Sequence, residues 1–144
     1  MSSLKGRSVF VKPFPFRRSA ISPLLARLKG ATVVDGMFLD EFLDTYAPRA
    51  VVIDYPASVL FQSLPHDTEI FLMPDELNPY EARALEELKK RVHYCEDVET
   101  VLAKLDSFFE GRLEKKRDES YYNHYVHKPD SREKTVRLIE SLSR

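Results

Sequence analysis

The sequence has little of several features that would assign it to a specialised class. Its 144 residues include one cysteine, Cys95, so no intramolecular disulfide can form, which fits a reducing compartment. No apolar run approaches the ~20 residues that a membrane-spanning helix requires. The formal net charge of -1 argues against bulk binding of nucleic acid. Because the first seven residues lack an apolar signal segment, we expect a cytoplasmic protein.

What the sequence does contain is typical of a globular domain: 43% of its residues are hydrophobic and 31% are charged. A chain of this length fits one domain that can bury a sizeable core. We therefore predict a single domain over residues 1–144. Residues 8–111 would form strand–helix units, and 112–144 a polar linker with a C-terminal helix.

Short β-branched or aromatic runs alternate with helical patterns along the chain. The predicted strands are 8–12, 31–34, 50–53, 69–73 and 92–95. The helices are predicted to start near Ser22, Met37, Ser58, Asn78, Asp97 and Ser131. This alternation predicts an α/β fold, a Rossmann-like three-layer sandwich whose mostly parallel sheet has about five strands.

In open α/β sheets, ligands bind beyond the carboxyl ends of the strands, which directs attention to three loops. The first loop carries Lys12, Arg17 and Arg18 after the first strand. These cations could contact a phosphate, or the prolines around them could make a rigid surface loop.

The second loop, with Asp54, Tyr55 and Ser58, follows the most apolar strand and leads into a helix. Unpaired backbone N–H groups at a helix start suit an anion, and Ser58 could add a hydroxyl donor. The alternative is that Ser58 only caps its helix. Neither the glycine-rich dinucleotide motif nor the Walker loop is present in the sequence.

The third loop carries Asp75 and Glu76, which could hold a ribose hydroxyl or act as acid or base, or could be turn residues. His124 and His127 are too few to make a metal site, and we predict none. His66 and His93 are isolated in the sequence, and we interpret them and Cys95 as structural residues.

Basic residues are frequent from Arg112 onward, partly offset by acids. A solvated helical tail would explain them. The alternative is a weak contact with a membrane surface, at the inner face, or with a phosphate-bearing substrate.

Taken together, three segments carry a resemblance to a known family. They are Lys12-Pro13-Phe14-Pro15, then Ala50 to Ser58 (AVVIDYPAS), then Ile70 to Glu76 (IFLMPDE). Their order resembles the C-terminal, donor-binding half of GT-B transferases, closest to the CDP-glycerol glycerophosphotransferase-like and capsule-polysaccharide enzymes. The segment around 121–139 is similar to that family's closing segment.

The resemblance implies a glycosyl- or glycerophosphotransferase of surface polysaccharide biosynthesis that uses a CDP- or UDP-linked donor and no other cofactor. Ser58 would hold the donor's phosphates, Asp54 and Tyr55 would belong to the same loop, Lys12 and Arg17 would lie nearby, and Asp75 and Glu76 would lie near the nucleotide. Phe14 stands where the family usually has a histidine, and Ala57 where a hydroxyl residue is common.

The acceptor in this architecture binds to a separate N-terminal domain, which the 144 residues do not include. The resemblance therefore implies a missing acceptor-binding domain or a partner subunit, and we expect no turnover by the chain alone. Two other hypotheses remain open. One is a non-catalytic α/β interaction module or a subunit of a split transferase. The other is a receiver-like domain with Asp54 as its aspartate, which lacks the acidic pair expected after the first strand.

Overall fold

The computed structural model describes residues 6–13, 30–55, 57–74, 79–127, 130, 133 and 136. In chain order the elements are β1 (Val9–Val11), β2 (Ala31–Val33), α1 (Leu39–Tyr46), β3 (Ala50–Ile53), α2 (Ser58–Ser63), β4 (Glu69–Leu72), α3 (Ala82–Arg91), β5 (His93–Tyr94), α4 (Val98–Phe109) and one turn of π-helix (Tyr122–Val126). The alternation confirms the predicted α/β class. The helix predicted from Ser22, and most of the one predicted from Ser131, lie outside the described residues.

The strands are parallel within each sheet, as predicted, but the five described strands form two sheets instead of one. β1 pairs with β2, and β3, β4 and β5 form a second sheet in that order. The two sheets meet through side chains, because Phe10 of β1 and Val51 of β3 pack on one apolar cluster. The apolar pattern of a sequence indicates which residues are buried, but it does not indicate which strands pair by hydrogen bonds.

β4 is the buried centre of the larger sheet, and its alternating side chains define the layers. Ile70 and Leu72 pack on one face with Leu60 of α2 and Leu88 of α3. Phe71, pointing the other way, packs with residues of α4, namely Val101, Leu105 and Phe108. Helices therefore cover both faces of this sheet, which explains why β4 is apolar on both sides and confirms the layered arrangement around it.

Two helix starts differ from the predicted ones. α3 begins at Ala82, and its cap is Glu81, whose carboxylate accepts hydrogen bonds from the N–H groups of Arg83 and Ala84 at 3.2 and 3.1 Å. The predicted cap, Asn78, lies outside the described residues. α1 begins at Leu39, so Phe38, predicted to face the core, takes the cap position and is 85% exposed.

The start of α4 is as predicted. Asp97 Oδ1 accepts a hydrogen bond from the Thr100 N–H at 2.6 Å, which satisfies one of the amide groups that a helix start leaves unpaired. This fixes α4 beneath the sheet by its amino end.

The segment after α4 packs back onto the larger sheet. We predicted a solvated polar linker here, but Lys116 is half-buried and donates its N–H to the buried carboxylate of Glu69 at 3.2 Å. Tyr121, at the end of the segment, is 4% exposed and belongs to the core cluster of Ile70 and Leu88. The charged sequence concealed these anchors because the inward-facing residues Leu113, Lys116 and Tyr121 stand among exposed polar ones.

In the described part of the chain, every helix is too short or too polar to cross a lipid bilayer.

Candidate functional site

The carboxyl ends of β3, β4 and β5 lie flush along one edge of the larger sheet. Ile53 pairs in register with Leu72, and Leu72 with Tyr94. The ladder continues one residue further: Met73 N–H donates to Ile53 O at 3.0 Å and Cys95 N–H to Leu72 O at 2.9 Å. The loops that follow these three strands therefore leave the sheet together, which is the position where open α/β sheets bind ligands.

Asp54, Tyr55 and Ser58 lie at this edge and are accessible. All three side chains are exposed, and Tyr55 is 56% exposed. The chain turns through an Ala57 N–H bond to Tyr55 O at 2.9 Å and enters α2. Ala57 occupies the cap position without a side-chain bond, and Ser58 is the first helical residue. The alternative in which Ser58 caps its helix is therefore wrong, because its hydroxyl stands one position too late.

Lys12 belongs to the smaller sheet, immediately after β1, and is half-buried. Arg7, before β1, and Arg49, before β3, both lie over the ring of Phe109. Their Cζ atoms are 3.9 and 5.7 Å from the ring centroid. Phe10 and Val51 share one cluster further along. Lys12 follows the carboxyl end of β1 as Asp54 follows that of β3, but the two residues belong to different sheets.

The remaining predicted site residues lie outside the described part of the chain. These are Arg17, Arg18, Asp75 and Glu76, together with Phe14 at the position of the family's histidine. Of the predicted donor-binding set, the structure therefore places Asp54, Tyr55 and Ser58 at one edge of the larger sheet, and Lys12 after β1 of the smaller sheet.

At the opposite edge, where β4 and β5 begin, lies a buried polar cluster that the sequence interpretation missed. We call it the Glu69 cluster; its members are Glu69, His93, Arg91, Lys116 and Arg117. The side chains of Glu69 and His93 are 1% and 4% exposed, and Glu69 Oε2 lies 3.0 Å from His93 Nε2. The same carboxylate accepts the Lys116 N–H and pairs with Arg117.

The Glu69 carboxylate is ionised in the folded protein. Burial by itself raises the pKa of Glu69, but the donors Lys116 N–H, His93 and Arg117 together outweigh burial and hold that pKa below its ordinary value. Since a carboxylate can only accept, His93 Nε2 carries the proton that lies between them.

His93 is neutral at physiological pH. Burial lowers the pKa of His93 more than the Glu69 carboxylate raises it, and nearby Lys116 and Lys104 lower it further. Its ring stacks on Phe71 at 4.9 Å between centroids. The interpretation of His93 as isolated is wrong, although a structural role fits its burial. One signal could have revealed the pair, because Glu69 and His93 stand near the starts of consecutive predicted strands.

Arg91, at the end of α3, joins three parts of the chain. Its guanidinium is buried and donates to backbone carbonyl oxygens at 2.9–3.3 Å, those of Leu64, His66, Thr68 and Lys116. Burial, and then the charge of Arg117, lower the pKa of Arg91. Arg91 therefore binds the loop before β4 and the segment after α4.

Acid should weaken folding through His93. The folded-state pKa of His93 lies below the unfolded one, so the unfolded chain binds more protons once the pH falls below about 6.5. We therefore expect the stability that neutral His93 contributes to be present above this pH and to be lost progressively as the pH falls through it. Urea unfolding between pH 7.5 and about 5 should show the free energy of unfolding falling with pH, and His93→Gln should make this dependence on pH shallower. His127→Gln, at an exposed histidine, is the control; an equal flattening there would contradict the assignment.

The other histidines and Cys95 have local partners. His124 Nδ1 lies 2.7 Å from Glu87 Oε2, and His127 stacks on Tyr122. Cys95 is buried, its thiol donates to His93 O at 3.2 Å, and burial raises its pKa, so it is a poor nucleophile. In the described ranges, no group of three or more His, Cys, Asp or Glu side chains is arranged to hold a metal ion.

Comparisons with protein-family models, with curated proteins and with solved structures found no significant match to this chain.

Proposed function

We propose that the edge formed by the carboxyl ends of β3 and β4 binds the nucleotide part of an activated donor, and that the chain is the donor-binding part of a glycosyl- or glycerophosphotransferase of surface polysaccharide biosynthesis. The observation that carries this proposal is the accessible loop of Asp54, Tyr55 and Ser58 at the flush strand ends. The substrate class comes from the family resemblance of the same loop.

Each of the described predicted residues has a use in such a site. The Ser58 hydroxyl and Lys12 ammonium are donors for phosphate oxygens, and the carboxylate of Asp54 accepts from a hydroxyl. The exposed ring of Tyr55 is a surface on which a base can stack, an interaction of about 1–3 kcal/mol per base. α2 is only six residues long, so its dipole contributes little, and side chains must supply most of the binding.

A second candidate is a non-catalytic interaction module or the subunit of a split transferase. It is favoured by one observation: two cavities in the described part of the chain, of about 110 and 410 Å³, are lined by other residues and not by Lys12, Asp54, Tyr55 or Ser58. In that case the exposed Tyr55 contacts a protein and not a base. Without the acceptor-binding part, either candidate is inactive as an isolated chain.

Titration of the chain with CDP, UDP and GDP, followed by amide NMR shifts, distinguishes the two. We expect shifts concentrated at Lys12, Asp54, Tyr55 and Ser58, with the strongest response naming the base. Tyr55→Ala should weaken binding by about tenfold, because about 1–3 kcal/mol of stacking is lost. Ser58→Ala should weaken it less.

Ser107→Ala, near the end of α4 and away from this edge, is the matched control for Ser58→Ala. The donor proposal is rejected if millimolar nucleotide moves no amide at the edge, or if Ser107→Ala weakens binding as much as Ser58→Ala. That result would favour the interaction module.

A further inference from the structure

A cavity of about 410 Å³ lies along the side of β5 that faces away from β4, and none of the described residues proposed for the donor lines it. Its lining is mostly cationic: Lys89 from the end of α3, Lys104 from α4 and Lys116 from the following segment, with Tyr94, Glu96 and Thr100. Three lysines against one glutamate leave an excess of positive charge. Nothing in the sequence interpretation grouped these residues, since they come from four separate segments.

The lysines are held in place by the backbone of β5. In the described sheet β5 pairs only with β4, and Cys95 N–H faces β4, so the carbonyls of Val92 and Tyr94 point outward. Lys104 Nζ donates to Tyr94 O, and Lys116 Nζ donates to Val92 O at 2.9 Å. This covers the unpaired carbonyls of an edge strand.

The edge carbonyls do not use all the donors of these ammonium groups. An ammonium has three N–H donors. The bonds seen here occupy one on Lys104 and two on Lys116, the second through Lys89 O. Among the described residues, Lys89 Nζ pairs with Glu86 at 3.1 Å and lies 5.6 Å from the centroid of the Tyr94 ring; both members of the ion pair are exposed, so that pair is weak and readily exchanged. Fixed cations with remaining donors bind an anion without a large loss of side-chain entropy.

The charges at the cavity also repel one another. Burial lowers the pKa of Lys116, and the nearby charges of Lys104 and Lys89 lower it further. The Glu69 carboxylate opposes this shift, but its oxygens already accept from His93, Arg117 and the Lys116 N–H. An anion bound in the cavity would reduce the repulsion among these lysine side chains.

We propose that this cavity binds a phosphate-bearing anion. Ammonium groups from three directions suit the several oxygens of a phosphate, and the volume exceeds that of a single phosphate group, which leaves room for a diphosphate or an organic substituent. The same chemistry is offered by a soluble phosphate compound and by a phospholipid headgroup. The cavity does not use the proposed donor residues, so this proposal does not depend on the proposed transferase function.

The test uses the full chain with two probes: pyrophosphate, by calorimetry and amide NMR, and vesicles of phosphatidylcholine with and without phosphatidic acid, by co-sedimentation. We expect pyrophosphate to move the amides of Lys89, Tyr94 and Lys104. Lys104→Gln and Lys89→Gln should each weaken binding by about tenfold, the loss of one charge-assisted contact. Glutamine keeps a donor for the Tyr94 carbonyl, and thermal melts verify that the variants fold.

Lys90→Gln and Lys115→Gln are matched controls, because they change exposed neighbours of Lys89 and Lys116 by the same charge. Unchanged binding in the controls supports the cavity. Binding only to vesicles with phosphatidic acid, lost in Lys104→Gln, supports it and identifies a headgroup. Absence of binding to both probes, or equal weakening in the control variants, overturns the proposal.

Discussion

Replacing Arg91 with alanine is expected to lower the free energy of unfolding by about 3–4 kcal/mol, the largest effect of a single change that we anticipate. Arg91 is 3% exposed and donates to four backbone carbonyls. Truncation leaves these oxygens without their donor in a place that water reaches poorly. A buried polar group without a partner costs about 1–3 kcal/mol, and the oxygens nearer the surface recover part of that through water.

The variant should also free the segment after α4. Arg91 is one of the groups that hold Lys116 O, so we expect trypsin to cleave faster around Lys115 to Arg117 in Arg91→Ala than in the parent chain. Urea unfolding gives the stability, and limited proteolysis in native buffer gives the local effect.

Arg83→Ala, on the same helix, is the matched control. Arg83 is exposed and pairs only loosely with Glu87 at 3.7 Å, so its removal should change stability by at most about 0.5 kcal/mol. Were Arg91→Ala to stay within about 1 kcal/mol of the parent, the four carbonyls would have other partners, and the joining role of Arg91 would be wrong.

The second large effect is expected from Glu69→Ala, about 3 kcal/mol of lost stability. The carboxylate is buried and ionised, and it accepts from His93, from Lys116 N–H and from Arg117. Alanine leaves His93 and the Lys116 N–H without this acceptor and removes the buried counter-charge of Arg117, which keeps its exposed partner Asp67 at 2.7 Å. Glu69→Gln should lose less, because the amide oxygen still accepts.

The pH dependence of unfolding separates the contribution of the Glu69 charge from that of its side-chain shape. The pKa of Glu69 is lower in the folded protein, so its contribution is fully present above the unfolded value of about 4.3 and is lost as the pH falls through the folded one. Glu69→Gln should therefore unfold with a shallower dependence on pH below about 4.5. Glu86→Gln, at an exposed glutamate, should keep the parent's slope. If the free energy of unfolding depended on pH equally in Glu69→Gln and in the parent chain, Glu69 would not titrate as inferred.

Local sequence was sufficient wherever a single segment determines its own structure. The apolar run of β3 has the predicted bounds, 50–53, because consecutive β-branched residues favour an extended strand, although Val52 is 47% exposed. α4 begins after Asp97, as predicted, because a cap forms between residues three apart. The α/β class followed from the order of these elements.

For the donor edge, the sequence predicted which loops follow which strands, and the parallel register brings the ends of β3 and β4 together. It did not predict that Ala57 and not Ser58 would take the cap position, because cap and first turn differ by one residue and small backbone changes decide between them.

The Glu69 cluster and the lysine-lined cavity were decided only by tertiary structure. Glu69 and His93 meet because β4 and β5 pair in parallel, and Arg91 and Lys116 join them from a helix end and a returning segment. In the linear sequence these residues look like ordinary surface charges, which is what most such residues are. The sequence by itself thus determined the elements and their order. Which charges are buried, and which partners neutralise them, depended on contacts between residues more than 20 positions apart, which local patterns cannot encode.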